Sequence, residues 1–281
     1  MTDFKPKLLA YESLMFLAVQ FIALATGMAL ISKPSTPPPM ELVEGLKWFF
    51  LAFVISMAII LLVIRFLKKV SFNAFFAFII IVGAYYVFSA FLPFLLAIIL
   101  AAVIVGLRFW KPNLITHNIA IFLGVAGVAA VLGNMLPVIA VIVILFALSI
   151  YDFIAVFKTK HMVSMFKDML KKGMPLAIVV PEQSAGFALN VHKVSKQKLR
   201  ETDKKVLMLG TGDLAFPALF AVSAFRASGS LIPALAIMIG SIVGIVFNHY
   251  LLTIKKYKVI PALPFIALFS VIGYFIAILF L

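Results

Sequence analysis

Nine apolar runs, each near the length of a bilayer crossing, follow one another along the chain with little sequence between them. They cover residues 8–32, 48–66, 71–90, 92–107, 114–133, 136–157, 206–226, 230–253 and 261–280. Lipid offers the backbone no hydrogen-bond partner, so a spanning segment has to be a helix or part of a closed barrel, and a helix needs about 20 mostly apolar residues. Two boundaries follow from length alone. Residues 71–107 as one helix would run to about 55 Å, nearly twice a hydrocarbon core, so the run breaks near Ser89 to Pro93. By the same reasoning 114–157 breaks near Gly133 to Pro137. The first run is too long for a signal-peptide core and lacks a small-residue cleavage site after it, so it reads as a retained helix. The expected fold is an all-α polytopic membrane protein of about nine transmembrane helices. Only 12% of the residues are charged, against about 25% in a soluble domain.

The net charge of +14 would suggest nucleic acid in a soluble protein, but its placement here is an orientation signal. With the N-terminus inside, 21 of the 24 Lys and Arg residues fall in inner segments, and only Lys33, Lys47 and Arg226 fall outside. That asymmetry predicts an N-in, C-out topology with the bilayer, not nucleic acid, as the partner. Two connections are longer than turns. Lys33 to Lys47 carries Pro34, Pro37, Pro38 and Pro39 and is expected to be an extended external segment. The basic loop 158–205, on the cytoplasmic side, divides a six-span portion, 1–157, from a three-span portion, 206–281. Within it Met174–Pro181 is too short to span and has a proline near each end, so it is either a re-entrant or surface-lying segment or an apolar patch on the helix ends.

Of ten acids, eight (Asp3, Glu12, Glu41, Glu44, Asp168, Glu182, Glu201 and Asp203) read as loop or helix-end residues, which leaves Asp152 and Asp213 at membrane depth. A carboxylate there costs several kcal/mol unless neutral, solvated or paired, and no Lys or Arg lies inside the apolar runs to pair with it, since Arg65 and Arg226 sit at run ends. Counted from Lys158 and Lys205, each aspartate lies about 9–12 Å inside the cytoplasmic end of its helix, so the two are level. Two carboxylates sharing one site cannot both ionise, which provides one base and one acid near neutral pH for activating water. Gly210-Thr211-Gly212-Asp213, with Pro217 four residues on, leaves room for a close backbone, a water or a substrate strand and loosens the helix. Pro261 and Pro264 flank Ala262 and Leu263; the pair either exposes extended backbone that a substrate strand can join or simply starts a helix.

Tyr151-Asp152 in the sixth run, Gly210-Thr211-Gly212-Asp213 in the seventh and Pro261-Ala262-Leu263 opening the ninth resemble, in order and spacing, the three signatures of the presenilin and signal peptide peptidase family of intramembrane aspartyl proteases. The likeness extends from the first run to the last and implies a presenilin-like fold with Asp152 and Asp213 as the catalytic acids. It implies supporting or substrate-binding roles for Tyr151, Gly210, Thr211, Gly212, Pro261, Ala262 and Leu263. Thr211 stands where members usually have Leu, and Ile260 where signal peptide peptidases often have Gln. The implied partners are transmembrane peptides or membrane-protein substrates, with no obligatory partner subunits, with homo-oligomerisation left open, and with the basic loop as a plug or gate. The expected location is a cell membrane if the source is prokaryotic.

No cofactor is expected. The four histidines form no His-x-x-x-His pair, so no metal site is expected, and without cysteine there is no thiolate nucleophile. Two other readings use the same acids: a proton-coupled transporter with the aspartates as relay, and a prepilin-type peptidase cutting near the cytoplasmic surface.

Overall fold

Prolines set two of the helix starts. Pro93 and Pro137 both sit in extended backbone (φ −62°, ψ 154° and φ −68°, ψ 151°), where the missing N–H costs nothing, and a helix begins at the next residue. The two breaks inferred from length therefore fall where expected. The computed structural model describes residues 6–33, 36–66, 69–158, 177–181, 206–254 and 260–280. Among them are nine helices: α1 (Pro6–Ile31), α2 (Leu42–Phe66), α3 (Lys69–Phe91), α4 (Phe94–Trp110), α5 (Leu114–Met135), α6 (Val138–Phe157), α7 (Thr211–Ser228), α8 (Leu231–Ile254) and α9 (Leu263–Ile278). Most of loop 158–205, with the gating role expected of it, lies outside the described residues.

Six helices are long and apolar enough to cross a membrane by length and composition; α4 and α9 are shorter apolar helices. Helix α7 carries Thr211, Gly212, Asp213 and Arg226, but it is packed among other helices, with nine of its residues buried, so it need not be lipophilic. Helix α5 is enclosed on nearly every side, touching α1, α3, α4, α7 and a short strand. Helix α2 is the opposite case, with most of its apolar side chains exposed.

Glycines allow the closest crossings. A Cβ on Gly83 would lie 2.1 Å from the Gly124 carbonyl oxygen, and one on Gly127 would lie 1.8 Å from that of Gly83, so α3 and α5 meet backbone to backbone. Gly240 and Gly244 of α8 do the same against α9. With no hydrophobic drive between helices in lipid, such approach is what supplies dispersion contacts. Buried polar side chains add joins: the Gln20 amide donates to the Ser241 hydroxyl (3.0 Å), and the Asn134 amide donates to the Gly27 carbonyl (3.0 Å).

The external proline segment is tied down. Lys33 donates to the Ser89 carbonyl, Arg226 to the Pro37 carbonyl (3.0 Å), and the Met40 amide to the Met135 carbonyl (2.8 Å). Two of the three outward cations thus act as fasteners as well as orientation signals.

The sequence reading made 206–210 the start of a helix; it is instead a strand, β2 (Val206–Gly210), paired antiparallel with β1 (Ala177–Pro181). Met174–Pro181 was read as re-entrant, surface-lying or packed on helix ends; its described part is this fully buried strand. Ala177 faces Gly210 and Val179 faces Met208 in the register.

Candidate active site

Helices α6 and α7 hold the two aspartates. Helix α6 runs 20 residues from Pro137 and carries Asp152 near its inner end, buried at 6% exposure. Strand β2 runs straight into α7 with Gly210 as its N-cap, which makes Asp213 the third residue of the helix. Its depth is therefore set differently from the expectation. Five strand residues advance about 16 Å, so the strand rather than a helical turn carries the chain inward before Asp213.

The glycine ahead of Asp213 has a specific cause. A Cβ on Gly210 would lie 3.1 Å from Asp213 Oδ2, so the carboxylate folds back over the N-cap, where the free amides of the first turn favour negative charge. Gly210 has φ −62° and needs no unusual backbone; it is the side chain of Asp213 that needs the space. Pro217 cannot donate to the Asp213 carbonyl four residues earlier, so this turn is loosened on its other side.

Asp213 lies within electrostatic range of Asp152, across packed helices α6 and α7. A third acid joins them. Glu12 of α1, read from sequence as a helix-end residue, is 7% exposed and lies within electrostatic range of Asp213. Among the described residues none of the three acids forms an ion pair, and no group of three or more His, Cys, Asp or Glu side chains converges closely enough to hold a metal ion. The depth arithmetic applied to the aspartates would have found Glu12: it is six residues, about 9 Å, along α1 from Pro6.

The absence of cations from the spans also needs correction. Arg108 is in the last turn of α4 and 4% exposed, but it turns to α5: its Nε donates to His117 Nδ1 (3.2 Å). His117 Nε2 in turn lies 3.0 Å from the Ala177 carbonyl oxygen of β1. Next to it, the Asn118 amide donates to the Val179 carbonyl (2.9 Å), and its oxygen accepts from the Val179 amide (3.0 Å). Residues of an antiparallel strand alternate between pairing inward and pointing outward. Ala177 and Val179 point at α5, so Ile178 and Val180 pair with Leu209 and Leu207, and Met208 presents its N–H and C=O to the far edge of β2. Among the described residues no strand occupies that edge.

The other expected site residues are spread around this core. Tyr151 stands beside Asp152 but aims its ring edge-on at Phe53 of α2 (5.7 Å). Thr211 and Gly212 form part of the wall of an apolar cavity of about 750 Å³ between α2, α3, α5 and α7, which Phe49, Phe53 and Phe216 also line. Pro261 and Leu263 are buried at the start of α9, which packs on both α6 and α7. The Ala262 carbonyl accepts from the Phe265 and Ile266 amides (both 3.2 Å), so of the two readings of this segment the helix start holds from Ala262 on; extended backbone is present at β2.

A family model described as signal-peptide peptidase, presenilin aspartyl protease matches residues 13–281, beginning one residue after Glu12. Two crystal forms of a presenilin family intramembrane aspartate protease share the fold. The C222 form superposes with a TM-score of 0.63 at 22% identity, covering 94% of both chains, and the P2 form with 0.68 at 23% identity, covering 96% of both. No curated protein sequence matches the chain significantly.

Proposed function

The chain belongs to the signal-peptide peptidase and presenilin aspartyl protease family, and from that premise we propose that Asp152 and Asp213 are the pair of acids with which it cuts peptide bonds inside membrane-spanning segments. It is an integral membrane aspartic endopeptidase, and its substrates are transmembrane segments. The observation that carries the assignment is the pairing of a buried Asp152 with an Asp213 held at a helix N-terminus within range of its charge. In a site of low dielectric the two carboxyl groups share a proton. The ionised one takes a proton from water as the water oxygen attacks the peptide carbonyl, and the protonated one donates to the carbonyl oxygen; the proton taken from water then passes to the departing amine, while the carboxylate that gave its proton recovers one from the gem-diol hydroxyl.

A helical peptide bond is shielded by its own backbone, so the substrate has to unwind before attack. The edge of β2 that no described strand occupies supports that step: a strand added at Met208 would lie against the chain that leads directly to Asp213. The apolar cavity beside Thr211 and Gly212 suits the part of the substrate that remains helical.

Purified single chain incubated with a transmembrane peptide is expected to cut within the hydrophobic segment, and a hydroxyethyl-type transition-state analogue is expected to block it. Cleavage only at a basic leader junction would instead select the prepilin-type reading, and proton-dependent uptake into vesicles without cleavage the transporter. Activity of the chain alone also tests whether it works without partner subunits.

The two glycines divide the reaction between them. Gly210→Ala crowds the Asp213 carboxylate and is expected to lower kcat by about tenfold or more with KM little changed. At Gly212 the nearest atom to a Cβ is the Phe216 ring, 3.9 Å away, so Gly212→Ala narrows the cavity wall and acts mainly on KM. Steady-state kinetics of both variants check the division.

A further inference from the structure

We propose that Asn118 and His117 of α5 are positioning residues that close the outer edge of β1, so that the register of the sheet, and with it the bond presented to Asp213, is set from α5. The inference rests on the catalytic reading above and deepens it. A two-stranded sheet has two open edges, each able to accept another strand, and a sheet with no fixed edge slips. Here one edge is taken by side chains. The Asn118 carboxamide bonds both polar groups of Val179, as a neighbouring strand would, and His117 takes the Ala177 carbonyl two residues earlier. These are the two outward-facing residues on that part of β1.

The histidine is set for its task. A carbonyl oxygen only accepts, so Nε2 carries the proton; Nδ1 is then free to accept from the Arg108 Nε–H, which fixes the ring's orientation and tautomer. Three buried side chains from two helices thus act on β1, Asn118 bonding Val179, His117 bonding Ala177 and Arg108 bonding His117. Because β1 dictates the register of β2, and β2 runs without a break into the helix bearing Asp213, a shift of β1 along its axis displaces the strand template relative to the reacting carboxylate. Sealing β1 also directs the substrate to the β2 edge, which no described strand occupies and to which Met208 turns its backbone N–H and C=O.

The test is the distribution of cleaved bonds, read by mass spectrometry on one transmembrane peptide. Asn118→Leu keeps the volume and removes both bonds. It is expected to spread cleavage to bonds one or two residues either side of the wild-type position and to lower the rate on the order of tenfold. His117→Phe is expected to do the same, whereas His117→Gln, which can still donate to Ala177, restores the wild-type pattern. A lower rate with an unchanged pattern would mean a merely structural role and would overturn the proposal, as would unchanged rate and pattern. If the wild-type chain cuts nothing, or Asp152→Asn still cuts, the catalytic reading fails instead.

Should Asn118→Leu lose its thermal transition, amide exchange on the Asp213→Asn chain decides. Val179 is expected to be protected without peptide, and Met208 to gain protection only when peptide is added. New protection at Val179 on adding peptide would refute the sealed edge.

Discussion

Asp152→Asn and Asp213→Asn each lower cleavage of a transmembrane peptide by at least about 10⁴-fold, and the double variant is no worse than either single one. The second half of that result is the stricter test. Groups that share a proton and act as one unit do not add, because once either is lost the other has nothing to exchange with. Asparagine keeps the shape of the side chain, and neither acid is held by an ion pair among the described residues. Each substitution also removes a group that is costly to bury when charged, so the thermal midpoint in detergent should stay level or rise. Activity retained in either variant, or a double variant far below both singles, contradicts the shared-proton pair.

Gly127→Ala destabilises the protein by about 3 kcal/mol or more, while Gly106→Ala leaves it unchanged or slightly steadier. Both replace a helical glycine with alanine, so helix propensity favours both by about 1 kcal/mol. They differ in what the new methyl meets. At Gly127 it would sit 1.8 Å from the Gly83 carbonyl oxygen, a backbone atom that cannot rotate aside, so α3 and α5 have to part along their crossing. At Gly106 nothing lies within 4 Å. Unfolding of the two variants in the same detergent checks the prediction, and equal stability would mean that the α3–α5 contact contributes little to the fold.

The helices were legible because their signals are local. Proline forbids the helix bond at its own nitrogen, so Pro93 and Pro137 announced their breaks without reference to the rest of the chain. The sheet was not legible, since a five-residue apolar run has the same pattern as a piece of buried helix, and the partner of β1 begins 25 positions later in the sequence. Asp152 and Asp213 were singled out by depth, although the depth of Asp213 came from counting helical turns where the chain is a strand. Glu12 and Arg108 were missed for one reason: both lie within a few residues of a helix end and were assigned to the interface. Burial there depends on which neighbours close over the end, and β1, which packs against both α1 and α5, is one of them. The Pro261 segment, which left extended backbone and a helix start both open, leads into a helix at Leu263.

The enclosure of α5 sets where this chain can vary. Twelve of its 22 residues are buried, among them the glycines at the α3 crossing and the two side chains on β1, and only Ile115 (47%) and Ile119 (41%) are exposed. In a saturation library selected for cleavage, this helix would be the most depleted, with survivors gathered at those two isoleucines, while α2 would accept nearly any apolar residue along its exposed side.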